Sequence, residues 1–340
     1  HDPESSVLLG LGFYVPHMFR MLVFFVIAGL FARPMLERRG PRAFIGDRLR
    51  RIGLVLVAFW PVTLAGIIGV SIAAQRAGIS VPPPPEEGGF PLLHLWFLYV
   101  LMLLYAATLA LCAVAAPFRH RVASIPGSSA LAALFASPAA PLLMAIPLAG
   151  ALYVDPHWIA WFGIPTPDRL GLPGPAATIG YGSAFALGWW LAGRLGVLDV
   201  WAGHWPFHLV VAVITTVVCL LLSGYTPGFV ALGGGSRTVV ATAYALGAWS
   251  WAIGLTGLAC RLFAGESPVT RYLADASYWI YLMHLPVVMA LQAAVIPLPL
   301  PLPVKFAIVI GAALALLLLS YRLLVRRSWL GAWLNGRRRD

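Results

Sequence analysis

Long runs of apolar residues recur from one end of the chain to the other. Each is close to the ~20 residues with which an α-helix crosses about 30 Å of hydrocarbon. The runs are continuously apolar rather than alternating, which favours helices over the strands of a membrane barrel. We therefore predict an all-α, polytopic membrane helix bundle with about nine spans, of which the fourth is short and rich in proline. The runs cover residues 10–32, 52–72, 93–115, 138–154, 176–196, 205–224, 238–260, 276–296 and 304–325.

The composition agrees with a protein embedded in lipid. Hydrophobic residues make up 60% of the 340 residues and charged residues 10%, whereas a soluble domain carries about 25% charged residues. The net charge of +11 could indicate nucleic acid, but the basic residues lie between apolar runs and form no single solvated patch. The predicted partner is therefore the bilayer and not nucleic acid. Residues 1–340 are predicted to form one transmembrane domain, because no polar stretch is long enough for a soluble one.

The positions of arginine and lysine predict the orientation, because cytoplasmic loops carry an excess of both. Of the 23 basic residues, 18 fall on one side of the predicted spans, four on the other, and Arg20 lies within the first run. This places the C-terminus in the cytoplasm and, with nine spans, residue 1 outside. No signal peptide that would export residue 1 is visible, so we expect one further helix before it, giving ten. Residues 77–92, with Pro82 to Pro85, are expected to form a semi-rigid external loop.

The first run contains an ionisable pair, His17 and Arg20. Ionisable groups inside spans are costly and mark functional sites by default. The two residues are three positions apart, so they share one face of a helix. The alternative is that Arg20 only locks helices together through a carbonyl or a tyrosine.

A second polar stripe lies in the eighth run, where Tyr278, Tyr281 and His284 follow one another at intervals of three residues. A neutral imidazole at this depth can act as a general base or as a hydrogen-bond donor. The alternative is a core histidine that is satisfied beside the kink at Pro286.

Two further groups lie at the ends of spans. His94 and Trp96 open the third run, where an aromatic belt would explain the tryptophan. Arg48 and Arg51 precede the second run, where they either follow the positive-inside rule or bind the phosphates of a cytoplasmic ligand. The chain has no glycine-rich phosphate loop, which argues against a nucleotide hydrolase. The three cysteines lack metal-ligand spacing and His204 with His208 lack a third ligand, so no metal site is predicted.

These residues resemble the motifs of a known family. His17-Met18-Phe19-Arg20-Met21 resembles the His-x-Phe-Arg-Met motif of the acyltransferase-3 family. The following Phe24–Phe31 resembles its Phe-Phe-x-x-Ser-Gly-x-Phe motif, with Ala28 in place of the serine. Three more blocks resemble the family in the same order: Arg48–Ile52, where the proline that often follows is displaced, His94–Leu98 and Ala276–Pro286. The resemblance is closest to the branch that succinylates periplasmic glucans.

The resemblance implies an enzyme of the bacterial inner membrane. It would move an acyl group, acetyl or succinyl, from cytoplasmic acyl-CoA to a hydroxyl of an extracytoplasmic glycan, with acyl-CoA as donor substrate and no bound cofactor. Under this hypothesis His17, Arg20, Tyr281 and His284 are catalytic. Arg48 and Arg51 would bind the phosphates of CoA, and His94, Trp96 and Tyr278 would contact substrate. The family's first helix carries a histidine regarded as catalytic, and we expect that helix to precede residue 1.

The main alternative is a secondary transporter or flippase of a glycan or a lipid-linked intermediate. Ion-driven transporters usually keep carboxylates within the membrane. None of the 12 acidic residues of this chain lies deep in an apolar run, which tells against ion coupling. A purely structural membrane subunit is disfavoured by Arg20.

Overall fold

The computed structural model of the protein describes residues 7–79, 81, 89–118, 128–230, 232–265 and 267–336. Within these residues the fold is helical, with one isolated antiparallel bridge and no strand. Pro82 to Pro85 of the predicted external loop, and the arginines at 119, 121 and 337–339, lie outside the described ranges. The α-helices are α1 (Val7–Arg48), α2 (Leu54–Arg76), α3 (Trp96–Ala115), α4 (Ser128–Phe135), α5 (Ala140–Val154), α6 (Pro175–Leu191), α7 (Gly196–Ser223), α8 (Gly234–Leu262), α9 (Pro268–Val295), α10 (Leu302–Ser320) and α11 (Trp329–Asn335).

The helices confirm the predicted fold class, since every predicted apolar run coincides with a helix. In the described part of the chain, six helical segments are long and apolar enough to cross a membrane. One of them, Leu9–Arg76, is 68 residues long and contains the first two predicted runs. The fourth and fifth runs form α5 and α6, which have 15 and 17 residues and are shorter than a full span of ~20. The number of spans stays a prediction.

The bundle is built around α8, which packs against α7, α5 and α1. On one side of this core α1 also packs against α6, and elsewhere α9 packs against α2 and α10. Glycine residues permit the backbones of α1 and α6 to approach each other most closely. A Cβ atom on Gly29 of α1 would lie 2.0 Å from the carbonyl oxygen of Phe185, and one on Gly188 of α6 would lie 1.9 Å from that of Val26. Small residues of this kind let helix backbones touch inside a membrane.

A bend connects α1 to α2, and we call residues 40–53 the elbow. Gly40 has φ +75° and interrupts α1, and the chain then continues as a short helix that ends in a π-helical turn, Leu49–Gly53. The side chain of Phe44 is buried at 2% exposure and packs edge-on against Tyr105 of α3. This contact anchors the elbow to α3, while Arg42 and Arg50 of the elbow remain exposed.

At the opposite end of α2 and α3, two connecting segments pair with each other. The amide of Leu92 donates to the carbonyl of Asp168, and the amide of Leu170 donates to the carbonyl of Phe90. Leu93 follows in the left-handed region with φ 55°, which is rare for a residue with a branched side chain. This conformation turns the chain immediately before His94.

Candidate active site

Three polar side chains from distant parts of the sequence meet inside the bundle. They are His94, just before α3, and Tyr281 and His284 of α9. The ring centroids of the two histidines lie 4.9 Å apart, with the rings at 84° to each other. The hydroxyl of Tyr281 donates a 2.8 Å hydrogen bond to the backbone carbonyl of His94. We call these three residues the histidine cluster.

Pro286 explains how the ring of His94 is held. In an α-helix the N–H of residue 286 would bond to the carbonyl of residue 282, but proline has no N–H. The Leu282 carbonyl oxygen therefore remains open to Nε2 of His94, which lies 3.2 Å away. Because a carbonyl oxygen only accepts, Nε2 carries the proton and Nδ1 keeps a lone pair in the neutral ring. Nδ1 of His94 is buried and has no hydrogen-bond partner among the described residues.

His284 is fixed by a similar contact. Its Nδ1 atom lies 2.8 Å from the backbone carbonyl oxygen of Tyr281, so Nδ1 donates and Nε2 keeps the lone pair of the neutral imidazole. The histidine cluster thus contains two imidazoles, each with one nitrogen bound to a carbonyl of α9. The other nitrogen of each ring can accept a proton.

Arg20 is an exposed residue of α1. The charge of its guanidinium acts on both His17 and His284. His17 stacks on Phe13, with ring centroids 3.8 Å apart, and its Nδ1 atom bonds to the Phe13 carbonyl oxygen at 2.9 Å. Arg20 is therefore the side chain of α1 whose charge reaches the histidine cluster.

A row of polar groups leads from the histidine cluster to the elbow. The rings of Tyr281 and Tyr278 are nearly parallel, at 12°, with centroids 6.5 Å apart. The hydroxyl of Tyr278 donates a 2.7 Å hydrogen bond to the backbone carbonyl of Arg51. Since a helix rises 1.5 Å per residue, Tyr278 and His284 are about 9 Å apart along α9. The cluster and the basic elbow are thus joined through one stripe of α9.

The elbow and α11 enclose a cleft of about 1140 Å³, which we call the basic cleft. Its charged walls come from the elbow and the end of α1, and its aromatic wall comes from α11. The lining side chains used below are Arg39, Asp47, Arg50, Arg51, Trp329 and Trp333.

Arg48 does not line this cleft. Its guanidinium contacts Asp47 and the sulfur of Met35 and lies over the rings of Phe44 and Tyr105 at 5.3 and 5.2 Å. The side chain is only 19% exposed, whereas that of Arg51 is 38% exposed. Of the two arginines that the sequence suggested for phosphate binding, the structure brings only Arg51 into the basic cleft.

Trp96 is also turned inward. Its side chain is 9% exposed, and its ring lies 5.3 Å from that of Tyr181 on α6. This packing fixes the start of α3 and therefore the position of His94, two residues earlier. The structure brings His94 to the side of His284, and its predicted contact with substrate stays a prediction.

Four residues of the basic cleft were not predicted from the sequence: Arg39, Asp47, Trp329 and Trp333. Arg39 entered only as a topology signal, whereas Arg50 belongs to the basic block Arg48–Ile52. A signal was present, because the two tryptophans are four residues apart and so share one face of a short helix. The stretch just before them is basic, with Arg326 and Arg327. In the described ranges, no group of three His, Cys, Asp or Glu side chains could hold a metal ion.

The family model described as an acyltransferase domain matches residues 2–322. The chain belongs to the acyltransferase-3 family. It is therefore an acyltransferase enzyme, and its apolar helices make it a multi-pass membrane protein. No curated protein and no solved structure matches the chain. The match covers the histidine cluster and the elbow, and it ends before α11.

Proposed function

We propose that this acyltransferase takes an acyl group, acetyl or succinyl, from cytoplasmic acyl-CoA. It transfers the group to a hydroxyl of an extracytoplasmic glycan. The observation that carries the proposal is the row of polar groups from the basic cleft through Tyr278 to the histidine cluster. The charge bias of the sequence puts the elbow and the C-terminus on the cytoplasmic side of a bacterial inner membrane. Donor and acceptor would then approach the cluster from opposite sides.

The donor would bind by its phosphates in the basic cleft. Arg39, Arg50 and Arg51 all line the cleft, and guanidinium groups form strong, often bidentate, hydrogen bonds with phosphate. The acyl-thioester arm would extend along α9, past Tyr278, to the histidine cluster. Arg48 points inward, and we assign it the role of holding the elbow against α3.

At the cluster, one imidazole would take the proton of the acceptor hydroxyl. Nδ1 of His94 and Nε2 of His284 are the two nitrogens left with lone pairs. The hydroxyl oxygen then attacks the thioester carbonyl carbon, the carbon–sulfur bond breaks, and CoA leaves as a thiolate that takes up a proton. Arg20 would stabilise the negative charge that develops on the carbonyl oxygen. Tyr281 positions His94, because its hydroxyl donates a hydrogen bond to the backbone carbonyl of His94. A direct transfer and a covalent acyl-enzyme both fit this geometry.

Acyl transfer is tested with the purified protein in detergent, with the helix expected before residue 1 included, together with radiolabelled acetyl-CoA or succinyl-CoA and periplasmic glucan. We expect label on the glucan with one of the donors. Replacing His94 or His284 by glutamine should lower the initial rate by about 100-fold or more, the usual contribution of a general base.

His204→Gln is the matched control. This histidine is exposed on α7, and its Nδ1 atom bonds only within its own helix, to the Val200 carbonyl oxygen at 2.9 Å. Its variant should transfer at the wild-type rate. Wild-type rates in both His94→Gln and His284→Gln would contradict the assignment of the cluster. Absence of both transfer and CoA binding in the unmodified protein would contradict the proposed donor.

A further inference from the structure

One large aromatic side chain of the basic cleft is mostly exposed. Trp329, the first residue of α11, is 75% exposed and yet lines the cleft. Its ring is nearly parallel to that of Trp333, at 15°, with the centroids 6.0 Å apart. Trp329 therefore presents a flat aromatic face to the space between α11 and the elbow.

The rest of α11 is firmly anchored. Trp333 donates from Nε1 to the carbonyl oxygen of Arg50 at 2.9 Å, and Asn335 donates to that of Asp275 at 2.8 Å. A Cβ on Gly331 would lie 2.2 Å from the carbonyl oxygen of Val325, so the two backbones are in contact there. These contacts fix α11 without the help of Trp329.

Phosphate-binding groups lie opposite this aromatic wall. Arg39, Arg50 and Arg51 line the cleft, and only Arg51 has an acidic partner within the described residues, Asp47 at 3.1 Å. The cleft of about 1140 Å³ exceeds the ~300–1,000 Å³ of sites for drug-sized ligands. A ligand with a flat ring and several phosphates, as in a phosphorylated nucleotide, matches both walls.

We infer that α11 recognises the adenine base of the CoA donor, which stacks on Trp329 while Arg39, Arg50 and Arg51 bind the phosphates. This inference rests on the proposed donor. It does not follow from family membership, since α11 lies beyond residues 2–322, which the family model matches. The tryptophan pair then acts as an affinity element for the nucleotide part of the donor, at a distance from the reacting thioester.

The competing occupant is the headgroup of an anionic phospholipid. Tryptophan is common where helices meet headgroups, and a headgroup also carries phosphate. The composition of the cleft favours the nucleotide, because Trp329 and three arginines line the same cleft. A headgroup with one phosphate would leave most of these groups without a ligand.

Binding of CoA and of 4′-phosphopantetheine to the purified protein is measured by titration calorimetry in detergent. Trp329→Ala should weaken CoA about tenfold, in line with the contribution of base stacking on an aromatic side chain. It should change the affinity for 4′-phosphopantetheine, which lacks the nucleotide, by less than about twofold. Trp329→Phe keeps a flat ring and should recover most of the CoA affinity.

Phe263→Ala is the matched control. Phe263 is 64% exposed, follows α8 on the predicted cytoplasmic side, and does not line the basic cleft. Its variant should bind CoA like the wild type. The inference is overturned if Trp329→Ala binds CoA like the wild type, or if it weakens both ligands equally.

The outcomes also separate the inference from the proposed donor. If the wild type binds neither CoA nor 4′-phosphopantetheine, the proposed donor fails and the inference fails with it. If phosphatidylglycerol displaces CoA from the wild type but not from Trp329→Ala, the ring serves a lipid headgroup and the inference alone fails. Tryptophan-dependent CoA binding without acyl transfer would support the inference and contradict the proposed reaction.

Discussion

Replacing Gly29 by alanine tests how α1 is held in the bundle. Gly29 lies in the stretch that resembles the Phe-Phe-x-x-Ser-Gly-x-Phe motif, and the structure gives a physical reason for the glycine. A Cβ atom there would lie 2.0 Å from the carbonyl oxygen of Phe185 and 2.8 Å from the amide nitrogen of Trp189. Both atoms belong to the backbone of α6, so no side-chain rotation can remove the contact.

The expected loss of stability follows from these distances. Contacts of a real Cβ essentially never fall under 3.0 Å, so α1 and α6 would have to separate by at least about 1 Å from the present 2.0 Å. Overpacking of an interior usually costs about 1–3 kcal/mol. The loss of stability in the Gly29→Ala variant should lie near the upper end of this range, because the atoms in contact cannot move independently of their helices.

The separation should also lower activity. Arg20 is nine residues before Gly29 on the same helix, and the packing of α1 sets the distance from which its charge acts on His284. A misplacement of about 1 Å can reduce a rate by roughly 100-fold. We therefore expect Gly29→Ala to lose both stability and acyl transfer, although Gly29 touches no predicted substrate.

Stability is measured as the free energy of unfolding in mixed detergent micelles. Gly12→Ala is the control, because Gly12 is on the same helix and a Cβ there meets nothing within 4 Å. That variant should be unchanged or more stable by up to about 1 kcal/mol, since alanine favours the helix. The double variant Gly29→Ala/Gly188→Ala should lose less than the sum of the two single losses, because one separation relieves both contacts. Wild-type stability in Gly29→Ala would refute the close packing of α1 on α6.

Two further predictions concern the cluster and the elbow. Pro286→Ala restores an N–H that competes for the Leu282 carbonyl, so His94 should lose its orientation. The transfer rate should then fall about tenfold, as expected for the loss of one hydrogen bond of ~1.4 kcal/mol. An unchanged rate would show that this proline does not contribute to catalysis. Arg51→Ala should weaken CoA about tenfold in calorimetry with little change in stability. Arg48→Ala should instead lower the free energy of unfolding by about 1–3 kcal/mol and leave CoA affinity within about twofold. The reverse pattern would return phosphate binding to Arg48.

The sequence by itself determined the class of the fold and the residues worth testing. Whether a segment prefers lipid and forms a helix depends on its own side chains, so each apolar run was found as a helix. The cost of placing an ionisable group in hydrocarbon is also local, and it singled out Arg20 and His284 without knowledge of their neighbours.

The tertiary structure decided which of these residues act together. His94 and His284 are 190 positions apart in the sequence, and only the packing of α9 against the start of α3 brings their rings to 4.9 Å. The inward turn of Arg48 depends on the rings of Phe44 and Tyr105, which lie in separate elements. The side chains of the basic cleft likewise come from both ends of the chain. Contacts of this kind arise from the fit of whole helices against one another, for which hydrophobic periodicity carries no information.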